Sequence, residues 1–174
     1  LSASWRLSNE AFMQDRPLGI STLALRAGWG MQGNQAVRPY GTQLLLKADP
    51  GARYPFGTTL TTGLVATQVA NPDLTWETSE QVNLGIDYGF ANDRFTGIID
   101  FYQKTTNDLL LEVSVPQPAV VATRLENVGS LRNRGVEISF DARMIEGTDR
   151  NLTAGIVANF ERGEVISLGG RQFI

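Results

Sequence analysis

The stretch Gln81-Val82-Asn83-Leu84-Gly85-Ile86-Asp87-Tyr88-Gly89-Phe90 alternates between two kinds of side chain. Its even-numbered positions are aliphatic or aromatic, and its odd-numbered positions are polar or small. Because successive side chains of a β-strand point to opposite faces, this pattern predicts a strand with one apolar and one polar face. We therefore expect a strand, and no helix, from Gln81 to Phe90.

The same alternation recurs along the chain, at residues 22–31, 135–144 and 152–161, with Val157 as the one exception in the last stretch. Repeated strands of this kind predict an all-β, antiparallel up-and-down meander with one apolar and one polar side. We predict about six strands, at residues 3–7, 21–31, 80–90, 94–105, 133–144 and 151–162.

The connections between these strands alternate in length. Residues 91–94 and 145–150 are short and carry the Asn, Asp and Gly residues typical of turns. Residues 32–79 and 106–132 are long and are expected to be irregular loops, and residues 8–20 form a somewhat extended connection. Short turns on one rim and long loops on the other are typical of a transmembrane β-barrel, whose strands need only about 9–11 residues to cross.

Composition excludes several classes of function. The chain of 174 residues has no cysteine and no histidine, so disulfides, thiolate or imidazole metal sites and imidazole catalysis are excluded. Its formal net charge of −3 provides no basic field for nucleic acid. No apolar run reaches the roughly 18 residues of a transmembrane helix.

One glycine-rich pattern matches a phosphate-binding motif in spacing but not in context. Gly28-Trp29-Gly30-Met31-Gln32-Gly33 fits a dinucleotide fingerprint, with Asp49 downstream, but residues 34–41 show no helix to receive a pyrophosphate. We expect Gly28 and Gly30 to be small lumen-facing residues of a strand, and Gly33 to begin a loop. No cofactor is predicted.

Carboxylates on the predicted polar face could form a catalytic acid/base pair. Basic residues on the same face make paired or solvated charges in a barrel lumen the better interpretation. We therefore predict no catalytic residue, no metal site and no enzymatic activity, and we assign no individual substrate-binding residue. The carboxylates are Asp87, Asp100, Glu137 and Asp141, and the basic residues are Arg26, Lys104 and Arg143.

Aromatic residues lie near both ends of the predicted apolar face. Phe90 and Phe95 flank the turn at residues 91–94, while Trp29 and Phe160 lie toward the opposite strand ends. Such placement is typical of the interfacial girdles of a membrane barrel.

Several motifs, in the same order, resemble those of SusC/RagA-type TonB-linked outer-membrane proteins. The resemblance runs through most of the chain and is most specific over residues 71–141. The matching motifs are Leu25-Arg26-Ala27-Gly28-Trp29-Gly30 with Gly33-Asn34-Gln35, Asn71-Pro72-Asp73-Leu74-Thr75-Trp76-Glu77-Thr78-Ser79-Glu80-Gln81-Val82-Asn83-Leu84-Gly85-Ile86-Asp87, Arg94-Phe95-Thr96-Gly97 with Asp100-Phe101-Tyr102, Asp108-Leu109-Leu110-Leu111, and Asn127-Val128-Gly129-Ser130 with Asn133-Arg134-Gly135-Val136-Glu137.

This resemblance implies a TonB-dependent importer of glycans, oligosaccharides or peptides in the outer membrane of a Gram-negative, Bacteroidetes-like cell. It implies a plugged barrel of about 22 strands, energy supplied through TonB, and a SusD-like surface lipoprotein as partner. The first residue is not methionine, and the chain begins inside a predicted strand. We expect residues 1–174 to be part of the barrel domain, without the plug, the TonB box or the C-terminal strand.

The importer hypothesis places the apolar face against membrane lipid, with Leu25, Ile86, Ile99 and Ile138 toward acyl chains. A soluble β-sandwich that binds carbohydrate is the alternative, with Trp5, Trp29 and Trp76 as sugar platforms. It buries the same apolar faces between two sheets. A complete small barrel is disfavoured, because six strands are fewer than the eight at which membrane barrels begin.

Overall fold

A computed structural model describes residues 1–13, 19–35 and 37–169. Within these ranges the backbone forms ten β-strands and two short 3-10 turns, and none of its helices is long and apolar enough to span a bilayer. The strands are β1 (Ser2–Arg6), β2 (Ile20–Asn34), β3 (Leu45–Phe56), β4 (Thr59–Gln68), β5 (Glu77–Phe90), β6 (Phe95–Asn107), β7 (Leu110–Ser114), β8 (Thr123–Asn127), β9 (Ser130–Glu146) and β10 (Asn151–Ser167).

Six strands form one sheet in the order β1-β2-β5-β6-β9-β10, which is the predicted meander. β1 pairs antiparallel with β2, with Trp5 opposite Leu25. Each predicted strand is present, and β9 and β10 are longer than expected, at 17 residues each. The turn between β5 and β6 has positive φ at Ala91, Asn92 and Asp93, a conformation that Asn and Asp tolerate better than most residues.

The long connections differ from the prediction, because each contains a β-hairpin. β3 pairs with β4 inside residues 32–79, and β7 pairs with β8 inside residues 106–132. Pro50 and Gly51 lie in a bulge where the pairing moves from Asp49 opposite Gly63 to Arg53 opposite Thr62. Bulges accommodate residues that a regular ladder excludes, so the irregular-loop expectation was wrong here.

The predicted connection at residues 8–20 begins with two 3-10 turns, Leu7–Asn9 and Ala11–Met13. Residues 14–18 of that connection lie outside the described residues.

The chain divides into two compact units. The first, called the wall here, comprises Leu1–Gln32, Ser79–Thr105 and Leu131–Val165, and the second, the loop unit, comprises Gly33–Thr78, Thr106–Ser130 and Ile166–Ile174. In the wall, Val82 is 40% exposed and Leu84 is 54% exposed. A second sheet packed on this face would bury both side chains, so the β-sandwich alternative is not favoured.

Candidate functional site

A three-residue ion cluster occupies the polar face of the wall. Arg26 Nη2 lies 2.9 Å from Asp87 Oδ1 and 2.9 Å from Asp100 Oδ1. Arg26 Nε also donates to Asp87 Oδ2 at 2.9 Å, so that pair is held in a forked geometry. All three side chains are between 31% and 40% exposed, so water still reaches the cluster.

Gly85 makes this cluster possible. Arg26 belongs to β2 and Asp100 to β6, and β5 lies between these two strands in the sheet. A Cβ atom on Gly85 would lie 2.7 Å from Arg26 Cζ, a separation that real Cβ atoms do not show. The absence of a side chain at this position lets the guanidinium pass over β5 and reach the second carboxylate.

The remaining polar-face charges are spread along the sheet. Arg143 donates to the carbonyl oxygen of Asp93 at 2.5 Å and pairs with Glu146 at 3.4 Å. Glu137 and Asp141 lie on β9, and both are exposed. No group of three or more acidic side chains able to hold a metal ion occurs in the described ranges.

The glycine motif of β2 does not form a phosphate-binding loop. Gly28, Gly30 and Gly33 all lie inside a continuous strand, and no helix follows in residues 37–44. A Cβ on Gly28 would face Asn83 of β5, so this position is part of the polar face as predicted. Gly33 was expected to begin a loop, which is wrong, because β2 continues through Asn34.

Aromatic contacts strengthen the apolar face near the short turns. The rings of Phe95 and Phe140 stack with centroids 6.3 Å apart and an interplanar angle of 8°. The Tyr88 ring lies where a Cβ on Gly97 would be, so the ring covers that glycine. On the apolar face, the Tyr88 ring thus fills the space left by the missing side chain at Gly97.

The tryptophans of the wall each donate a hydrogen bond to a glutamate. Trp29 Nε1 donates to Glu80 at 2.7 Å, and Trp5 Nε1 donates to Glu10 at 2.8 Å. Trp76 belongs to the loop unit.

Inside the loop unit, side-chain amides of asparagine join residues 32–79 to residues 106–132 by hydrogen bonds. Asn71 is buried, and its Nδ2 donates to the carbonyl oxygen of Leu125 at 2.8 Å. Asn127 Oδ1 accepts from Thr75 N at 2.8 Å, and its Nδ2 donates back to the Thr75 carbonyl oxygen at 2.9 Å. Sequence reasoning did not single out Asn71 or Asn127 as structural residues, although both lie in motifs that carried the family resemblance.

Glu77 extends this network. Its Oε1 accepts from Leu110 N at 3.0 Å, and its Oε2 accepts from Asn34 Nδ2 at 2.8 Å. One carboxylate thus connects residues of β2 and β7. We refer to Asn71, Glu77 and Asn127 together as the loop lock.

The β3–β4 hairpin exposes large apolar side chains. Phe56 is 72% exposed and Leu60 is 68% exposed, next to the turn that joins the two strands. Leu60 is paired with Pro55 and Phe56 with Thr59, so the two side chains lie on opposite faces of the hairpin tip. Leu44, Leu46, Tyr54 and Leu64 are also exposed on or beside this hairpin.

Comparison with known proteins identifies the family. The family model described as "TonB dependent receptor-like, beta-barrel" matches residues 1–170. The chain belongs to this family. The six-stranded meander is accordingly a segment of a large transmembrane β-barrel.

Curated relatives support this assignment. TonB-dependent receptor P26 of Formosa agariphila is 35% identical over 179 residues, covering 100% of this chain and 17% of the relative. TonB-dependent receptor SusC of Bacteroides thetaiotaomicron is 34% identical over 173 residues, covering 98% of this chain and 17% of the relative. The chain thus spans about a sixth of the length of the relatives it matches.

Solved structures agree in fold. The RagAB peptide transporter superposes with a TM-score of 0.79 at 30% identity, covering 97% of this chain and 18% of that one. The RagAB peptide importer in its "closed-closed" state gives a TM-score of 0.80 at 29% identity, with coverages of 96% and 18%. The family is one of transport receptors and not a class of enzymes.

Proposed function

We propose that this chain is a wall segment of a TonB-dependent outer-membrane importer of glycans, oligosaccharides or peptides. The main support is that the wall is a single sheet with two different faces. Its apolar face is exposed, and its polar face holds the ion cluster of Arg26, Asp87 and Asp100. An uncovered apolar sheet face is stable against hydrocarbon, whereas the charged face suits an aqueous lumen or a plug. The aromatic residues near both ends of the apolar face then serve as interfacial girdles.

We further propose that the loop unit lies outside the cell and that the β3–β4 hairpin contacts a SusD-like surface lipoprotein. Short turns of outer-membrane barrels are periplasmic and long loops are extracellular, which gives the orientation. The exposed Phe56 and Leu60 supply apolar anchors of the type found at protein interfaces. Similarity to SusC and to RagAB supports both parts of this proposal.

The face assignment can be tested with single cysteines, because this chain has none. We would introduce Leu84→Cys and, as the matched control on the adjacent residue, Asn83→Cys into a cysteine-free full-length protein in bilayers. Position 83 should react with a water-soluble maleimide, and a spin label at position 84 should be accessible to oxygen but not to a water-soluble nickel complex. Equal reactivity with the maleimide at both positions contradicts the proposal.

Import is tested in cells that produce the full-length protein. Uptake of fluorescent oligosaccharides and peptides should depend on both the protein and TonB, and the class taken up defines the cargo. Uptake that persists without TonB, or no uptake of either class, contradicts the importer proposal.

Lipoprotein docking is tested by co-purification. The double change Phe56→Asp with Leu60→Asp should abolish recovery of the co-expressed lipoprotein, whereas Thr58→Asp in the intervening turn should not. Undiminished recovery with the double variant contradicts docking on this hairpin.

A further inference from the structure

Three arginines lie on the apolar face of the wall, toward the edge of the sheet from which the long connections extend. Arg132 and Arg134 are at the start of β9, and Arg162 is near the end of β10. Strand alternation puts all three on the face of Val136, Ile138 and Phe160. We call them the arginine cluster.

The cluster is brought together by the pairing of β9 with β10. A Cβ on Gly163 would lie 3.1 Å from Asn133 Oδ1, and a Cβ on Gly155 would lie 2.5 Å from Asp141 Oδ1. These two contacts are eight residues apart on each strand, so the pairing between them is regular. Arg134 therefore lies opposite Arg162.

These guanidinium groups lack anionic partners within residues 1–13, 19–35 and 37–169. Arg134 and Arg162 are exposed, and neither takes part in a salt bridge or side-chain hydrogen bond there. Arg132 has a buried Nε atom without a hydrogen-bond partner. Like charges placed opposite each other on neighbouring strands repel, so an anion bound between them would relieve the repulsion.

The nearest acidic residues along β10 do not balance the cluster. Glu161 borders the apolar groove that adjoins the cluster but alternates to the polar face of β10, as Glu137 does on β9. Glu164 is on the apolar face, opposite Arg132 in the same pairing, but it forms no ion pair within the described part of the chain.

An apolar groove runs from the cluster across four strands. Arg134 and Arg162 share it with side chains from β5, β6, β9 and β10, and its surface is mainly apolar. A cationic end joined to an apolar groove matches a lipid with an anionic headgroup. The apolar lining consists of Val82, Leu84, Phe101, Val136 and Phe160.

We propose that the arginine cluster binds the phosphate of a phosphorylated glycolipid in the outer leaflet, with an acyl chain along this groove. Guanidinium groups bind phosphate through paired, charge-assisted hydrogen bonds, and arginines at the ends of membrane spans reach the headgroup layer. The inference rests on the proposed function, because it takes the apolar face as lipid-facing and the long connections as extracellular.

Lipid A, added to the purified full-length protein in detergent, is the probe, and native mass spectrometry is the readout. The double change Arg134→Gln with Arg162→Gln should weaken lipid A binding by about tenfold or more, since it removes charge-assisted hydrogen bonds to phosphate. Arg150→Gln, in the short β9–β10 turn at the opposite end, is the matched control and should bind as the unmodified protein does. Heat-modifiable mobility of the barrel on gels checks that each variant is folded.

Three outcomes overturn the proposal: unchanged binding by the double variant, equal binding of dephosphorylated lipid A, or full competition by millimolar inorganic phosphate. The last outcome identifies a site for free phosphate and not for a lipid. Failure of the lipid-site proposal can be distinguished from failure of the proposed function. If the label at position 84 is in lipid while the arginine variants bind lipid A normally, only the lipid site is wrong.

Discussion

The wall and the loop unit keep their structures by different means. In the wall, strand pairing and face alternation repeat along each element, and an ion cluster spans β2, β5 and β6. In the loop unit, single side chains of the loop lock join backbone segments about fifty residues apart, as from Asn71 to Leu125. We infer that a charged residue placed on the apolar face should lower the stability of the wall most. Loss of a single side-chain amide should destabilise only the loop unit.

The largest expected effect comes from putting a charge on the apolar face. Ile86→Arg should lower the free energy of unfolding by about 2–4 kcal/mol, because an arginine at mid-strand faces hydrocarbon. Asp87→Asn, one residue away on the polar face, should cost less than about 1 kcal/mol, since Arg26 keeps Asp100 as partner. Urea unfolding of the full-length protein in lipid vesicles measures both, and equal tolerance contradicts the assignment of faces.

The next effect concerns the space that the ion cluster needs. Gly85→Ala should cost about 1–3 kcal/mol, because its methyl group overlaps the Arg26 guanidinium. Gly30→Ala is the matched control, since a Cβ there meets nothing within 4 Å. Unfolding in vesicles compares the two variants, and a harmless Gly85→Ala would show that Arg26 can take another route.

A smaller and local effect is expected in the loop unit. Asn71→Ala should destabilise the loop lock by about 1–2 kcal/mol, because it leaves the Leu125 carbonyl without its donor. Amide hydrogen exchange should accelerate in β7 and β8 and stay unchanged in β5 and β6. Asn107→Ala, at the exposed end of β6, is the control, and acceleration throughout the wall would remove the distinction between the two units.

The smallest effect concerns the aromatic contact of the apolar face. Phe140→Leu should cost about 0.5–1.5 kcal/mol, because it removes the stack with Phe95. Phe101→Leu, on the same face and 46% exposed, should cost less. If the unfolding free energies of these two variants are equal, the stack contributes nothing beyond contact area.

Much of the wall could be predicted from the sequence, because the alternation of side chains within each strand depends only on neighbouring residues. The alternation from Gln81 to Phe90 gave the strand and both of its faces. The hairpins inside the long connections were missed, because Pro50 and Gly51 are typical of loops and only pairing with β4 shows that they occupy a bulge. The candidate site was predicted in part: Arg26, Asp87 and Asp100 were placed on one face, but their mutual contact was not.

Period-two alternation by itself determined that this protein is a two-faced antiparallel sheet, since each side chain's face depends only on its position in the strand. Only the tertiary structure decided which polar residues meet. Whether Arg26 reaches Asp100 depends on strand order and on the missing side chain at Gly85, and whether Asn71 reaches Leu125 depends on how two distant connections fold together. Such contacts depend on pairing between remote segments, which no local pattern encodes.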